Sequence, residues 1–165
     1  MINGIMSAAT YDAGPTKEII HHLKYSGFVD LAGILGELLV ERLLLEAIPD
    51  NCVIVSVPLS LKRKAERGFN QSELIGKYVS NKLGIPGCDA LSRIKDQKPQ
   101  ATLKRNERLS NLTGVFRVED DEFVHGKNVL LIDDVATTGT TLNECAKVLK
   151  AAGAKKVYGV VVAHG

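Results

Sequence analysis

At 165 residues, 45% hydrophobic and 24% charged, the chain has the size and composition of one compact, ordinarily charged globular domain. No apolar run reaches membrane-spanning length, and residues 1–13 lack the basic-then-apolar layout of a signal peptide, so a cytoplasmic protein with no membrane contact is expected. The net charge of +2 conceals a segregation, from −4 over residues 1–50 to +7 over 61–108 and −1 over 109–165, which marks the middle third as the part suited to an anionic partner.

In chain order, Pro15 introduces a helix over 16–25, with Ile19, Ile20 and Leu23 on one side. A longer helix over 28–47 carries a stripe of Leu31, Leu35, Leu38 or Leu39, and Leu43. Residues 52–57 form a short β-branched run stopped by Pro58, the pattern of a buried strand. Asn70 is the expected N-cap of the next helix, with Glu73 completing a capping box and Gly84 and Pro86 closing the segment. Short strands are expected at 90–94 and 115–118, separated by a basic stretch without a clean period. A strand over 128–133, a helix over 141–152 and a strand over 156–163 complete the chain; Thr141 with Glu144 reads as a second capping box. Strand, helix and strand with continuously apolar strands predict a βαβ unit, hence a doubly wound α/β fold with a mainly parallel sheet that binds ligands at the carboxyl edge. The domain is expected to be single over 1–165, with 1–50 a helical hood and 51–165 an α/β core.

Cys52, Cys88 and Cys145 are odd in number, widely spaced and without a C-x-x-C pair, so they predict neither a disulfide framework nor a zinc ribbon. Small buried hydrophobes are the expected role. His21, His22, His125 and His164 show no metal or triad spacing. Nucleic acid is a weakly supported partner for the basic segment, because it holds only Phe69 and Tyr78 as stacking aromatics.

The most informative stretch is Val129-Leu130-Leu131-Ile132-Asp133-Asp134-Val135-Ala136-Thr137-Thr138-Gly139-Thr140-Thr141. An apolar strand delivers two carboxylates to its end, and a loop of small hydroxyl residues leads into a helix. Acids there can accept hydrogen bonds from sugar hydroxyls while loop amides and the helix amino terminus take a phosphate. The spacing is neither that of a P-loop, whose lysine is missing, nor that of a dinucleotide fingerprint, which needs three spaced glycines. Two acids that only solvate a strand end are the alternative.

This segment resembles the phosphoribosyl pyrophosphate (PRPP) loop of type I phosphoribosyltransferases. Pro58-Leu59, Arg67-Gly68-Phe69-Asn70-Gln71, residues 100–103, Glu107-Arg108, Asn111, Gly114 and Phe116, together with Leu23-Lys24-Tyr25-Ser26-Gly27, resemble the ComF branch of that family, linked to DNA uptake in competence or to DNA utilisation. The resemblance covers roughly residues 10–163. It departs in two places: the cysteine-rich zinc module usual ahead of this point is missing from the sequence, as in a shortened member or a fragment, and Ala136 stands where a larger aliphatic residue is commoner.

The resemblance implies the type I phosphoribosyltransferase fold and Mg²⁺-dependent transfer of phosphoribose from PRPP to a small-molecule acceptor with release of pyrophosphate. A non-catalytic PRPP- or nucleotide-binding accessory protein of DNA uptake or utilisation, working with competence-machinery proteins, is the other reading. Asp133 and Asp134 would be catalytic, binding the ribose hydroxyls directly or through Mg²⁺. Ala136, Thr137, Thr138, Gly139, Thr140 and Thr141 would bind the 5-phosphate. Val57, Pro58, Leu59, Ser60 and Arg67 would bind pyrophosphate, with Lys62 and Arg63 as nearby charge donors. Arg93, Lys95, Lys98, Gln100 and Arg105 would belong to a flexible loop closing over the site. No role follows for Lys24 beyond a place near the active-site edge.

Overall fold

The computed structural model describes residues 1–11, 14–94 and 114–165. Five strands form one parallel sheet in the order β1-β7-β6-β2-β3: β1 (Gly4–Thr10), β2 (Cys52–Ser56), β3 (Gly87–Cys88), β6 (Asn128–Ala136) and β7 (Lys156–His164). A two-stranded antiparallel ribbon, β4 (Leu91–Arg93) with β5 (Phe116–Val118), lies beside it. The helices are α1 (Thr16–Tyr25), α2 (Leu31–Leu44), α3 (Leu61–Arg67), α4 (Gln71–Leu83), α5 (Asp121–Val124) and α6 (Thr140–Ala151).

The sheet is covered on both faces because its central strands carry consecutive apolar residues, Val129 to Ile132 in β6 and Val160 to Ala163 in β7, rather than alternate ones. Val129 and Leu131 of β6 and Val157 and Val161 of β7 pack with Leu142, Cys145 and Leu149 of α6. The alternate residues, Leu130, Ile132, Val160 and Val162, pack with Leu35, Leu39 and Leu43 of α2 and Ile75 and Val79 of α4. Each fully buried aliphatic side chain of this kind contributes about 1.5–3 kcal/mol. Close approach of α2 and α4 depends on Gly36, where an added Cβ would lie 2.6 Å from Cδ1 of Tyr78.

Strand order creates the crevice that matters for function. Neighbouring strands β2 and β6 are in parallel register, Ser56 opposite Ile132. From β2 the chain passes through α3 and α4 outward to β3; from β6 it passes through α6, on the opposite face, to β7. The loops leaving these two strands therefore diverge, and a doubly wound sheet opens its ligand crevice at such a switch point.

Several local features differ from expectation, among them the short strand β3, which pairs with β2 where no strand was expected. Residues 4–10, given no strand, pair with β7 (Gly4 with Tyr158, Thr10 with His164), so the amino-terminal fifty residues contribute a sheet strand as well as helices. A helix follows Pro58 directly, Leu61–Arg67, with Ser60 as its N-cap accepting from the Arg63 amide at 3.3 Å. β6 continues past the acids to Ala136. The Thr141–Glu144 capping box does not form: Gly139, at φ 66°, caps α6 without a side-chain bond, and Glu144 instead pairs with Lys147 at 2.5 Å. By contrast, Asn70 caps α4 as expected, its Oδ1 accepting from the Ser72 amide at 3.1 Å and its Nδ2 donating to Glu73 at 3.2 Å. All three cysteines are free thiols; Cys145 is buried, while Cys52 and Cys88 are partly exposed.

Candidate functional site

A cavity of about 910 Å³ opens at the carboxyl edge of β2 and β6. The turn after β2 lines it with Val57, Pro58, Leu59 and Ser60, and α3 adds Lys62, Arg63, Glu66 and Arg67. Asp133, Asp134 and Thr141 line it from β6 and the start of α6, Arg93 from β4, and Lys24 and Tyr25 from the end of α1. Gly27, Phe69, Gln71, Ser72 and Val135 complete the wall.

Consecutive strand residues point to opposite faces, and the two acids are accordingly held by different neighbours. Asp133 Oδ1 accepts from Ser72 Oγ and from the Asp134 amide, each at 2.9 Å. Asp134 is 4% exposed, and its Oδ2 lies 2.7 Å from Lys24 Nζ. Its contact with Lys24 is an ion pair lacking hydrogen-bond geometry, and no hydrogen bond from the described residues reaches that oxygen. Burial, and then the Asp134 charge beside it, push the Asp133 carboxyl up to about 7, against the opposing pull of the Ser72 hydroxyl, the Asp134 amide and Lys24. Burial and the nearby Asp133 charge also raise the Cys145 thiol well above its ordinary value, in keeping with an inert core residue.

Helix α3 brings three cations to the cavity, Lys62, Arg63 and Arg67. Arg67 donates to Gln71 Oε1 at 3.1 Å and lies 5.2 Å from the centre of the Tyr25 ring. Asn70 Nδ2 donates to the Val57 carbonyl at 3.0 Å, which fastens the turn after β2 to the start of α4. The Arg93 guanidinium lies 5.7 Å from the Phe116 ring centre.

Of the residues singled out from sequence, Asp133, Asp134, Thr141, Val57, Pro58, Leu59, Ser60, Arg67 and Arg93 share this cavity. Ala136, Thr137, Thr138, Gly139 and Thr140 run along the adjoining loop without lining it. Ala136 is buried in the last register position of β6 opposite His164, Thr137 and Thr138 are exposed, and Thr138 Oγ1 lies 2.7 Å from Thr140 Oγ1. Lys95, Lys98, Gln100 and Arg105 fall outside the described residues. Sequence reasoning missed Ser72, the hydroxyl partner of Asp133, although it stands immediately after the Arg67–Gln71 stretch. It also left Lys24 without a role, since nothing in a local pattern tells which of several helical lysines will meet a carboxylate on a distant strand.

A parallel sheet with its cavity at the switch point, lined by two carboxylates at the end of β6 and by the cations of α3, defines an α/β protein of the doubly wound class. A phosphoribosyl transferase domain family matches residues 70–165. DNA utilization protein YhgH of Escherichia coli K12 is 36% identical over 160 residues, spanning 93% of this chain and 68% of that protein. Competence protein F of Haemophilus influenzae is 37% identical over 107 residues, 63% of this chain and 46% of that one. The chain spans 64% to 68% of the length of the DNA utilization proteins it matches. Among solved structures, the glutamine PRPP amidotransferase of B. subtilis shares the fold, with a TM-score of 0.51 and 18% identity over 79% of this chain and 25% of that one. The chain belongs to the phosphoribosyl transferase domain family, as a member of the ComF type.

Proposed function

We propose that the chain binds PRPP with Mg²⁺ at the cavity between β2 and β6 and transfers its phosphoribosyl group to a small-molecule acceptor, releasing pyrophosphate. The observation that carries this reading is the union of Asp133 and Asp134 with the turn Val57, Pro58, Leu59, Ser60 and the cations of α3 in one cavity. A pentose that carries a 5-phosphate and a pyrophosphate needs acceptors for its hydroxyls and positive charge for its leaving group, and the two acids and the α3 cations supply them.

In this reading Asp133 and Asp134 accept hydrogen bonds from the ribose 2- and 3-hydroxyls. Their negative charge favours the positive charge that develops on the sugar ring as the bond from C1 to pyrophosphate breaks. Arg63 and Arg67 hold the departing pyrophosphate, and Lys62 adds charge at the rim. The backbone amides of Thr140 and Thr141, in the first turn of a helix capped without a side chain, take the 5-phosphate; Gly139 lets the loop turn tightly into that helix. Thr137, Thr138 and Ala136 complete this loop, and Arg93 approaches from the ribbon.

The donor set suits Mg²⁺ shared with the ligand. Two carboxylates stand together, Asp134 Oδ2 has no hydrogen bond from the described residues, and those residues contain no cluster of three or more side chains able to hold a metal unaided. Mg²⁺ is commonly held by one or two carboxylates plus substrate oxygens. Asp133 and Asp134 would hold it, and bound there it would neutralise charge on the ligand oxygens.

A titration of PRPP with Mg²⁺ tests the reading. Asp134→Asn is expected to weaken binding by about tenfold or more, the scale for losing a hydrogen bond to a charged group; equal affinity for variant and wild type would end it. The names of the relatives, DNA utilization and competence proteins, favour a second reading. In it the same cavity binds PRPP or a nucleotide without turnover and serves DNA-uptake proteins, while the basic segment meets nucleic acid. Pyrophosphate release with a panel of acceptors separates the two. Either role is proposed for the cytoplasm; no helix among the described residues is long and apolar enough to cross a membrane.

A further inference from the structure

We propose that Lys24 is a built-in counter-ion that keeps a divalent cation off Asp133 and Asp134 until an anionic ligand gives it a second partner, so that metal and ligand enter together. The inference rests on the PRPP reading for the identity of that ligand, and on the ion pair itself for the rest. Asp134 is nearly closed to solvent, with its side chain 5% exposed, and Lys24 Nζ stands 2.7 Å from its Oδ2. No hydrogen bond from the described residues reaches that oxygen, so the ammonium is the charge that makes its burial tolerable. An ammonium and a divalent cation compete for one carboxylate oxygen, because at such separations in a partly buried site their repulsion is several times what it would be in water.

Lys24 is also placed to leave. It sits on the last turn of α1, and Gly27, at φ 72°, follows closely. Its side chain lines the same cavity as Lys62, Arg63 and Arg67, where a pyrophosphate or phosphate group would gather. A lysine carries a compact charge on a four-carbon stem with many rotamers, so it can exchange a carboxylate for a ligand oxygen without backbone movement. Paired with Lys24, Asp134 offers an arriving cation little net charge; removing the lysine's claim restores its negative charge. Metal alone must therefore displace Lys24 with no new partner for it, whereas metal arriving with a polyanion does not.

The test is Mn²⁺ binding, followed by the spectrum of the free ion, to wild type, Lys24→Met and Lys24→Arg, with and without PRPP. Without PRPP, Lys24→Met is expected to bind Mn²⁺ about tenfold or more tightly than wild type, and Lys24→Arg to resemble wild type. With PRPP the gap between wild type and Lys24→Met is expected to narrow. Equal Mn²⁺ affinity of ligand-free Lys24→Met and wild type would overturn the proposal. Failure of wild type to bind PRPP with Mn²⁺ would instead remove the PRPP reading, and the metal-alone comparison would still judge Lys24. Should Lys24→Met not fold, trace acetylation of the wild-type lysines decides: Mn²⁺ bound alone is expected to raise labelling of Lys24, and unchanged labelling with metal bound would overturn the proposal.

Discussion

Ser72 Oγ donates to Asp133 Oδ1 across 2.9 Å, tying the first turn of α4 to the end of β6 over a sequence separation of 61 residues. The acid proposed to face the ribose is thus oriented by a helix that begins beside the opposite loop of the crevice. Ser72→Ala is expected to cost about 1 kcal/mol in urea unfolding and to raise the Asp133 carboxyl still further, since the hydroxyl favours its charged form. A ¹³C titration of the aspartate carboxyl groups reads the second effect directly.

The raised Asp133 makes stability depend on pH in a defined direction. Unfolded, its carboxyl releases a proton near 3.8; folded, it holds that proton to about 7. Between those values the folded chain binds more protons, so this group's contribution falls as pH rises from about 4 to about 7 and is level above. Asp133→Asn is expected to melt higher than wild type at pH 8, by about 2–4 °C for each kcal/mol relieved, with the difference vanishing towards pH 4. Thermal scans across pH test this, and a variant that melts lower than wild type at pH 8 would contradict it.

Ligand binding should run the opposite way. A ligand that uses ionised Asp133 must drive off its proton below pH 7, so affinity for PRPP with Mg²⁺ is expected to weaken as pH falls from 7 to about 5. Calorimetry in buffers of different ionisation enthalpy is expected to report proton release on binding at pH 6, diminishing by pH 8.

Asn70 serves three partners while 1% exposed: the Ser72 amide, the Val57 carbonyl and Glu73. Asn70→Ala removes both an N-cap and a bond to the turn after β2, and a loss of about 2–3 kcal/mol in urea unfolding is expected. Asn70→Asp keeps the cap and loses the donor, so it is expected to fall between the two.

Gly36 sits where α2 meets the Tyr78 ring, and Tyr78 in turn donates to Glu37 at 2.5 Å. Gly36→Ala is expected to destabilise by about 1–3 kcal/mol through overpacking, despite alanine's better helix propensity. Equilibrium unfolding that shows a gain instead would mean the helices separate freely.

Periodic and punctuated elements were legible in the sequence. The stripe of Leu35, Leu39 and Leu43, the cap at Asn70 and the apolar run into Asp133 each carry a local signal that packing then reinforces. β1 was not, because its Gly4–Thr10 run is weakly patterned and acquires its strand geometry from β7. Basic α3 buries no residue and shows no apolar face to read; its caps at Ser60 and Gly68 were the local clues. In the site, acids and turn residues could be named from spacing, but the partners that set their charge, Ser72 and Lys24, come from other elements and depend on tertiary geometry.

The pairing of β1 with β7 sets a condition on biogenesis. Its partner register begins at Tyr158, so a nascent chain has to keep Ile5 and Met6 waiting until β7 has been made before that edge of the sheet can form. Until then β1 has no companion, and the ribosome-bound intermediate exposes a segment that chaperones would be expected to cover.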